Sequence, residues 1–144
     1  MSKGIKVVKL EKDAYTVSAV AADRKDDIEC QLTDFLGQCW GNPKYRGSVE
    51  GLQGLIERFS VHGRSGLTSD QSHYADKANE IYQFKKGDLR VLYFYASDKS
   101  IVICSHGFLK KSQKADKKEV RTAVKLRNSY LDSGTIEFLD QDNC

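Results

Sequence analysis

Two alternating apolar runs, Leu89 to Tyr95 and Ile101 to Phe108, are separated only by a short segment containing Ser97, Asp98 and Lys99. Runs of this composition joined by turn formers fold as an antiparallel β-hairpin. The period of two puts Arg90, Leu92 and Phe94 on one face of the first strand, and Val91, Tyr93 and Tyr95 on the other. The second strand runs through His106, Gly107 and Phe108 into Lys110 and Lys111. Arg90 therefore shares a sheet face with the exit of a lysine-rich loop, an arrangement suited to binding phosphate.

The rest of the chain reads around that hairpin. Ile5 to Leu10 and Tyr15 to Ala21 are strand-like and form a possible second hairpin. Asp23 is positioned to cap a helix in which Ile28, Leu32, Phe35, Leu36 and Cys39 recur at helical spacing, and Gly41-Asn42-Pro43 breaks it. Val49, Leu52, Leu55, Ile56 and Phe59 form the stripe of a second helix that Gly63 stops. Arg64 to Ala78 is polar and without period, and reads as a loop. A strand at about 80–85 precedes the hairpin, and Asp116 is expected to cap a last helix with Val120, Ala123 and Val124 inward, and Tyr130 and Leu131 as further candidates for that face. These elements predict one α+β domain spanning 1–144: a three- or four-stranded antiparallel sheet, two N-terminal helices on one face and a closing C-terminal helix. The face bearing Arg90 is expected to stay partly open.

Charge is distributed unevenly. The whole chain carries a formal +3, yet Lys110 to Arg127 holds eight Lys and Arg against only Asp116 and Glu119. A cationic patch on a nearly neutral body suits a polyanion, because each neutralised phosphate releases counterions. A solvated lysine-rich helix face would have the same composition. The 40% apolar content is enough for a core without a cofactor, and none is expected. Cys30, Cys39, Cys104 and Cys144 show neither CxxC nor metal spacing, so reduced structural thiols and no metal are expected. The first residues contain no apolar run long enough for a signal peptide or membrane anchor, which predicts a cytoplasmic protein without membrane contact.

The succession IYQFKKGDLRVLYFY, IVICSHGFLKKSQK and KKEVRTAV resembles the small HigB/RelE-type toxins of bacterial toxin–antitoxin modules, in particular the phage-associated HigB branch. The matching positions are Tyr82 to Lys85, Arg90, His106-Gly107-Phe108, Lys110-Lys111 and the helix from Asp116 onward. The resemblance implies a RelE-like fold and a ribosome-dependent mRNA endoribonuclease that inhibits translation. It also implies a cognate antitoxin, of helix-turn-helix type, with ribosome and mRNA as the other partners. Such toxins cleave without a metal: a 2′-hydroxyl attacks the scissile phosphate, and lysine and arginine do much of the work that histidine pairs do elsewhere.

Carried over residue by residue, the resemblance makes Arg90 the phosphate clamp, with Lys110, Lys111 and His106 as the other catalytic candidates. Lys85, Lys86, Lys114 and Arg121 are candidate RNA contacts. Lys85 stands where the family usually has arginine, which is not equivalent at a bidentate site. The chain is also longer than compact family members. Its tail from Ser133 to Cys144 carries Glu137, Asp140 and Asp142 and no basic residue. That tail could be a solvated end, an added edge strand at Thr135 to Leu139, or an acidic flap over the cationic face. Two other readings keep the scaffold and drop the chemistry: a ParE-like gyrase poison acting by contact, and a phage-derived binding module.

Overall fold

The computed structural model describes residues 4–24, 27–110 and 113–139, with the backbone alone for 24 and 113–116. Strands β1 (Ile5–Lys12) and β2 (Thr16–Val20) form the expected N-terminal hairpin. The capped helix expected from Asp23 is absent there. Ala22–Arg24 (β3) and Asp27–Glu29 (β4) instead pair as a two-stranded ribbon. Helix α1 starts only at Gln31 and runs to Trp40. The charged run Asp23 to Asp27 offers no apolar stripe, so the helical period becomes effective only where Leu32 and Cys39 can be buried.

Helix α2 (Arg46–His62) buries Val49, Leu52, Leu55, Ile56 and Phe59, the stripe read from the sequence, and passes into a 3-10 turn at Gly63–Gly66. The polar segment read as a loop contains a strand, β5 (Ser72–Asp76), antiparallel to β6 (Ile81–Lys86). An edge strand needs only one bonded flank, which explains why Ser72, His73 and Tyr74 carry no clear alternation. Ser72 is nonetheless anchored, its hydroxyl 2.7 Å from that of buried Tyr93. Strands β7 (Leu89–Tyr95) and β8 (Ile101–Leu109) are the hairpin predicted first. Helix α3 (Gln113–Ser133) begins ahead of Asp116, which lies within it rather than at its cap. Strand β9 (Ile136–Phe138) closes the described chain.

The sheet is larger than predicted. Seven strands run in the order β5-β6-β7-β8-β2-β1-β9, and two of the contacts, β2 with β8 and β1 with β9, are parallel. The N-terminal hairpin thus extends the predicted sheet at β8, where Ser18 Oγ donates to the Val102 carbonyl at 2.7 Å. Of the three readings of the tail, the edge strand is the one formed by its described part. The class is α+β as expected, with α1 and α2 on one face and α3 on the other.

Both faces are packed. Leu32 of α1 and Phe59 of α2 pack onto Val8, Val17, Phe84, Val91, Tyr93 and Cys104 of the sheet, with Tyr93 stacked 4.1 Å from Phe84. Beneath α3 lie Val7, Ile81, Leu92, Phe94, Ile103, Ala123 and Tyr130. The alternation along β7 therefore assigned both faces correctly. The face bearing Arg90 is not open, however, because α3 lies across it. The 21-residue helix carries enough apolar positions to bury that face, and a sheet with apolar side chains on both sides requires a cover on each.

Candidate phosphate-binding corner

The β6–β7 turn and the end of β8 meet at one corner of the sheet. The backbone N–H of Lys110 donates to the Asp88 carbonyl at 2.8 Å, closing the hairpin against the turn. Arg90 stands opposite Lys85 on β6 and opposite Phe108 on β8. Its Nη1 donates to the carbonyls of Gly87, at 2.6 Å, and Leu89, at 3.0 Å, and the residue is only 5% exposed. Arg90 thus fastens the turn that precedes its own strand, as well as lying at the predicted position.

His106 lies opposite Leu92, on the α3 side, next to an irregularity where Ser105 is the extra residue of β8. Its Nδ1 is 2.8 Å from Ser105 Oγ, and its ring is 5.8 Å from that of Phe108. Its Nε2 faces Glu119 Oε2 of α3 at 3.4 Å, a contact too poorly aligned to count as a hydrogen bond. Burial holds the imidazole pKa below its usual value, opposed by the Glu119 carboxylate. The ring is accordingly neutral at neutral pH, with a carboxylate beside it.

Gly107 explains the His-Gly-Phe sequence. A Cβ there would sit 2.5 Å from Phe35 Cδ2 and 3.0 Å from Leu32 Cδ1, so α1 approaches the strand too closely for any side chain. At the same point Gln31 clamps the strand: Gly107 N–H donates to Gln31 Oε1 at 2.8 Å, and Gln31 Nε2 donates to the Gly107 carbonyl at 2.9 Å. His106 is thereby held by backbone on one side of the sheet while its ring works on the other.

The remaining candidates divide. Lys85 is half-buried on Arg90's face and Lys110 is exposed at the end of β8. Lys86 points the other way, its stem over Gly51 of α2, so it does not join the corner. Arg121 is exposed on α3, as are Lys117 and Lys118, which precede Glu119 in sequence. Lys111 lies outside the described residues, and of Lys114 only its place in the first turn of α3 is described. Glu119, Ser105 and Gln31 were not legible as site residues. No sequence spacing announces a contact between a strand histidine and a helical glutamate. Among the described residues no cluster of three or more His, Cys, Asp or Glu side chains could hold a metal ion. Cys30, Cys39 and Cys104 are buried and unpaired, and burial pushes the Cys104 thiol pKa up.

The corner therefore combines a neutral imidazole, an adjacent carboxylate, a buried guanidinium and a fringe of exposed cations. Such a set can bind a phosphodiester and move a proton, once the buried members are reached. The family model for phage-derived proteins of the Gp49-like type (DUF891) matches residues 54–128, which include Lys85, Arg90, His106, Lys110 and Glu119 but not Gln31. No curated protein matches the chain.

Proposed function

Because the chain belongs to the Gp49-like family of phage-derived proteins, a RelE/HigB-like toxin family in general, we propose that it is a toxin that halts translation by cleaving mRNA on the ribosome. The observation that carries this reading is the convergence of Arg90, Lys85, Lys110 and the His106–Glu119 pair at one corner, with Lys117, Lys118 and Arg121 on the helix above. A toxin of this family implies an antitoxin partner in general; the reading adds that it is a helix-turn-helix protein. None of the described helices is long and apolar enough to cross a membrane.

In the proposed reaction the neutral His106 accepts the 2′-hydroxyl proton and Glu119 stabilises the imidazolium that forms. Arg90 and Lys110 hold the charge that develops on the phosphate as the 2′-oxygen attacks, and the 5′-oxygen leaves with the proton returned by the His106 imidazolium. The scheme is metal-independent. Arg90 and His106 are only 5% and 9% exposed, so access requires a local opening of the corner that keeps Glu119 beside His106. The ribosome supplies the orientation of the strand.

That same burial favours a second reading, a toxin acting by protein contact in the manner of a gyrase poison. Induction of the chain in a bacterial host separates the two. Cleavage expects translation to stop first, with cuts in translated mRNA mapped by primer extension and little cutting of naked RNA. The changes Lys110→Glu and Arg121→Glu should each weaken ribosome association, and the charge losses should flatten its salt dependence. Intact mRNA together with a DNA-damage response and inhibited supercoiling would replace this proposal by the second reading.

A further inference from the structure

On the far side of the sheet from Arg90, α1, α2 and β1 enclose a groove of about 580 Å³. Its apolar walls are Leu10, Leu36, Trp40, Val49 and Ile56, and its carboxylates are Glu11 and Glu57; among the described residues no cation lines it. Trp40, the only tryptophan, is 43% exposed at its mouth. It is held there by Arg46, which stacks 5.6 Å over the ring and donates from Nε to the Trp40 carbonyl at 2.7 Å. Gly37 also lines the groove, in the interior of α1. A Cβ on Gly37 would meet nothing within 4 Å, so the fold itself does not require glycine there. Glycine in a helix interior costs about 1 kcal/mol against alanine; Gly47 and Gly54 of α2 are equally unobstructed, so Gly37 serves here as a position from which the groove can be filled by substitution.

We propose that this groove is the docking site for an amphipathic helix of a partner protein, with large apolar anchors on one face and lysine or arginine on its flank. The walls are helices, and β1 is already paired on both sides. The groove thus offers no row of free backbone groups to an extended segment, and its occupant must satisfy its own backbone, as a helix does. Two carboxylates with no cation among the described lining residues select a basic flank, Arg46 at the mouth being engaged with Trp40. The chain's own remaining tail, Asp140 to Cys144, has two carboxylates and no large apolar side chain, the wrong chemistry on both counts. A second copy fits no better: α3 is the cationic helix, and its apolar face is already against the sheet. The inference does not rest on RNA cleavage, since the groove and the phosphate-binding corner lie on opposite faces.

The test is fluorescence anisotropy of the full chain with two labelled, stapled helical peptides. Both carry leucines at positions i, i+3 and i+7; one has lysine flanks and the other glutamate flanks. The lysine peptide should bind at least tenfold tighter. Gly37→Leu, whose Cβ would meet nothing within 4 Å and whose side chain extends from a groove-lining position, should reduce binding at least tenfold while thermal unfolding shows an intact fold. Glu57→Lys should remove most of the preference between the peptides. Equal binding of both peptides, binding unaffected by Gly37→Leu, or binding of neither peptide would overturn the proposal. Self-association abolished by Gly37→Leu would assign the groove to a second copy instead.

Discussion

Arg90 directs part of its guanidinium at its own chain. Two hydrogen bonds from a charged donor, a part-buried one to the Gly87 carbonyl and a buried one to the Leu89 carbonyl, contribute about 1.5–3 kcal/mol each, so loss of this side chain acts on folding as well as on any ligand. Arg90→Ala is expected to lower unfolding stability by about 3–6 kcal/mol. Arg90→Lys should retain about half of that, since one ammonium cannot hold the fork. Urea denaturation measures both, and an Arg90→Ala variant as stable as the parent would show that the turn does not depend on it. His106 gives a pH signature. Its folded pKa is held below the unfolded value near 6.5, so protonation favours the unfolded chain. The stability due to neutral His106 is complete above about pH 6.5 and is lost as pH falls toward the folded pKa. Denaturation midpoints should therefore drop between pH 7 and pH 5, and His106→Gln should flatten that drop.

Among the elements, α3 decides what the cationic corner can reach. Its far end is anchored by Tyr130, which is 3% exposed, accepts the Ser97 N–H at 2.8 Å and packs 6.1 Å from Phe94. Tyr130→Phe is expected to cost about 1 kcal/mol and Tyr130→Ala about 3–5 kcal/mol. The alanine variant should also speed amide hydrogen exchange in α3 and β8. Unchanged exchange there would mean that the helix is held chiefly elsewhere. The elements also differ in how far the sequence announces them. The β7–β8 hairpin and α2 were legible because each has a strong period and a buried stripe. The β3–β4 ribbon was not, since a charged segment beside a real helix mimics a capped helix start. Nor was β5, whose pairing depends on an already formed β6. The Arg90 face was assigned correctly, but its closure by α3 depends on tertiary packing that no local pattern records. Glu119 was counted only as a charge for the same reason.

At the scale of the whole molecule, the sheet is bounded by β5 at one edge and β9 at the other, four strands from β7. Strand β9 is tied to β1 by Ile5 N–H to the Thr135 carbonyl at 3.2 Å and Leu139 N–H to the Val7 carbonyl at 2.7 Å. Deleting Gly134 to Cys144 is therefore expected to destabilise the protein and expose the β1 edge, producing concentration-dependent association in sedimentation. It should not raise affinity for ribosomes, because the described part of the tail lies away from the cationic corner. A tighter-binding truncated chain with unchanged stability would restore the acidic-flap reading. The placement of Trp40 has a practical corollary. The sole indole reports from the groove mouth, whereas the stacked rings of Tyr82, Tyr93 and Phe84 lie in the interior. Tryptophan emission will thus follow what enters the groove and change little on loss of the core. Near-ultraviolet dichroism from the tyrosines will do the reverse, so the two signals divide one protein into two separately readable halves.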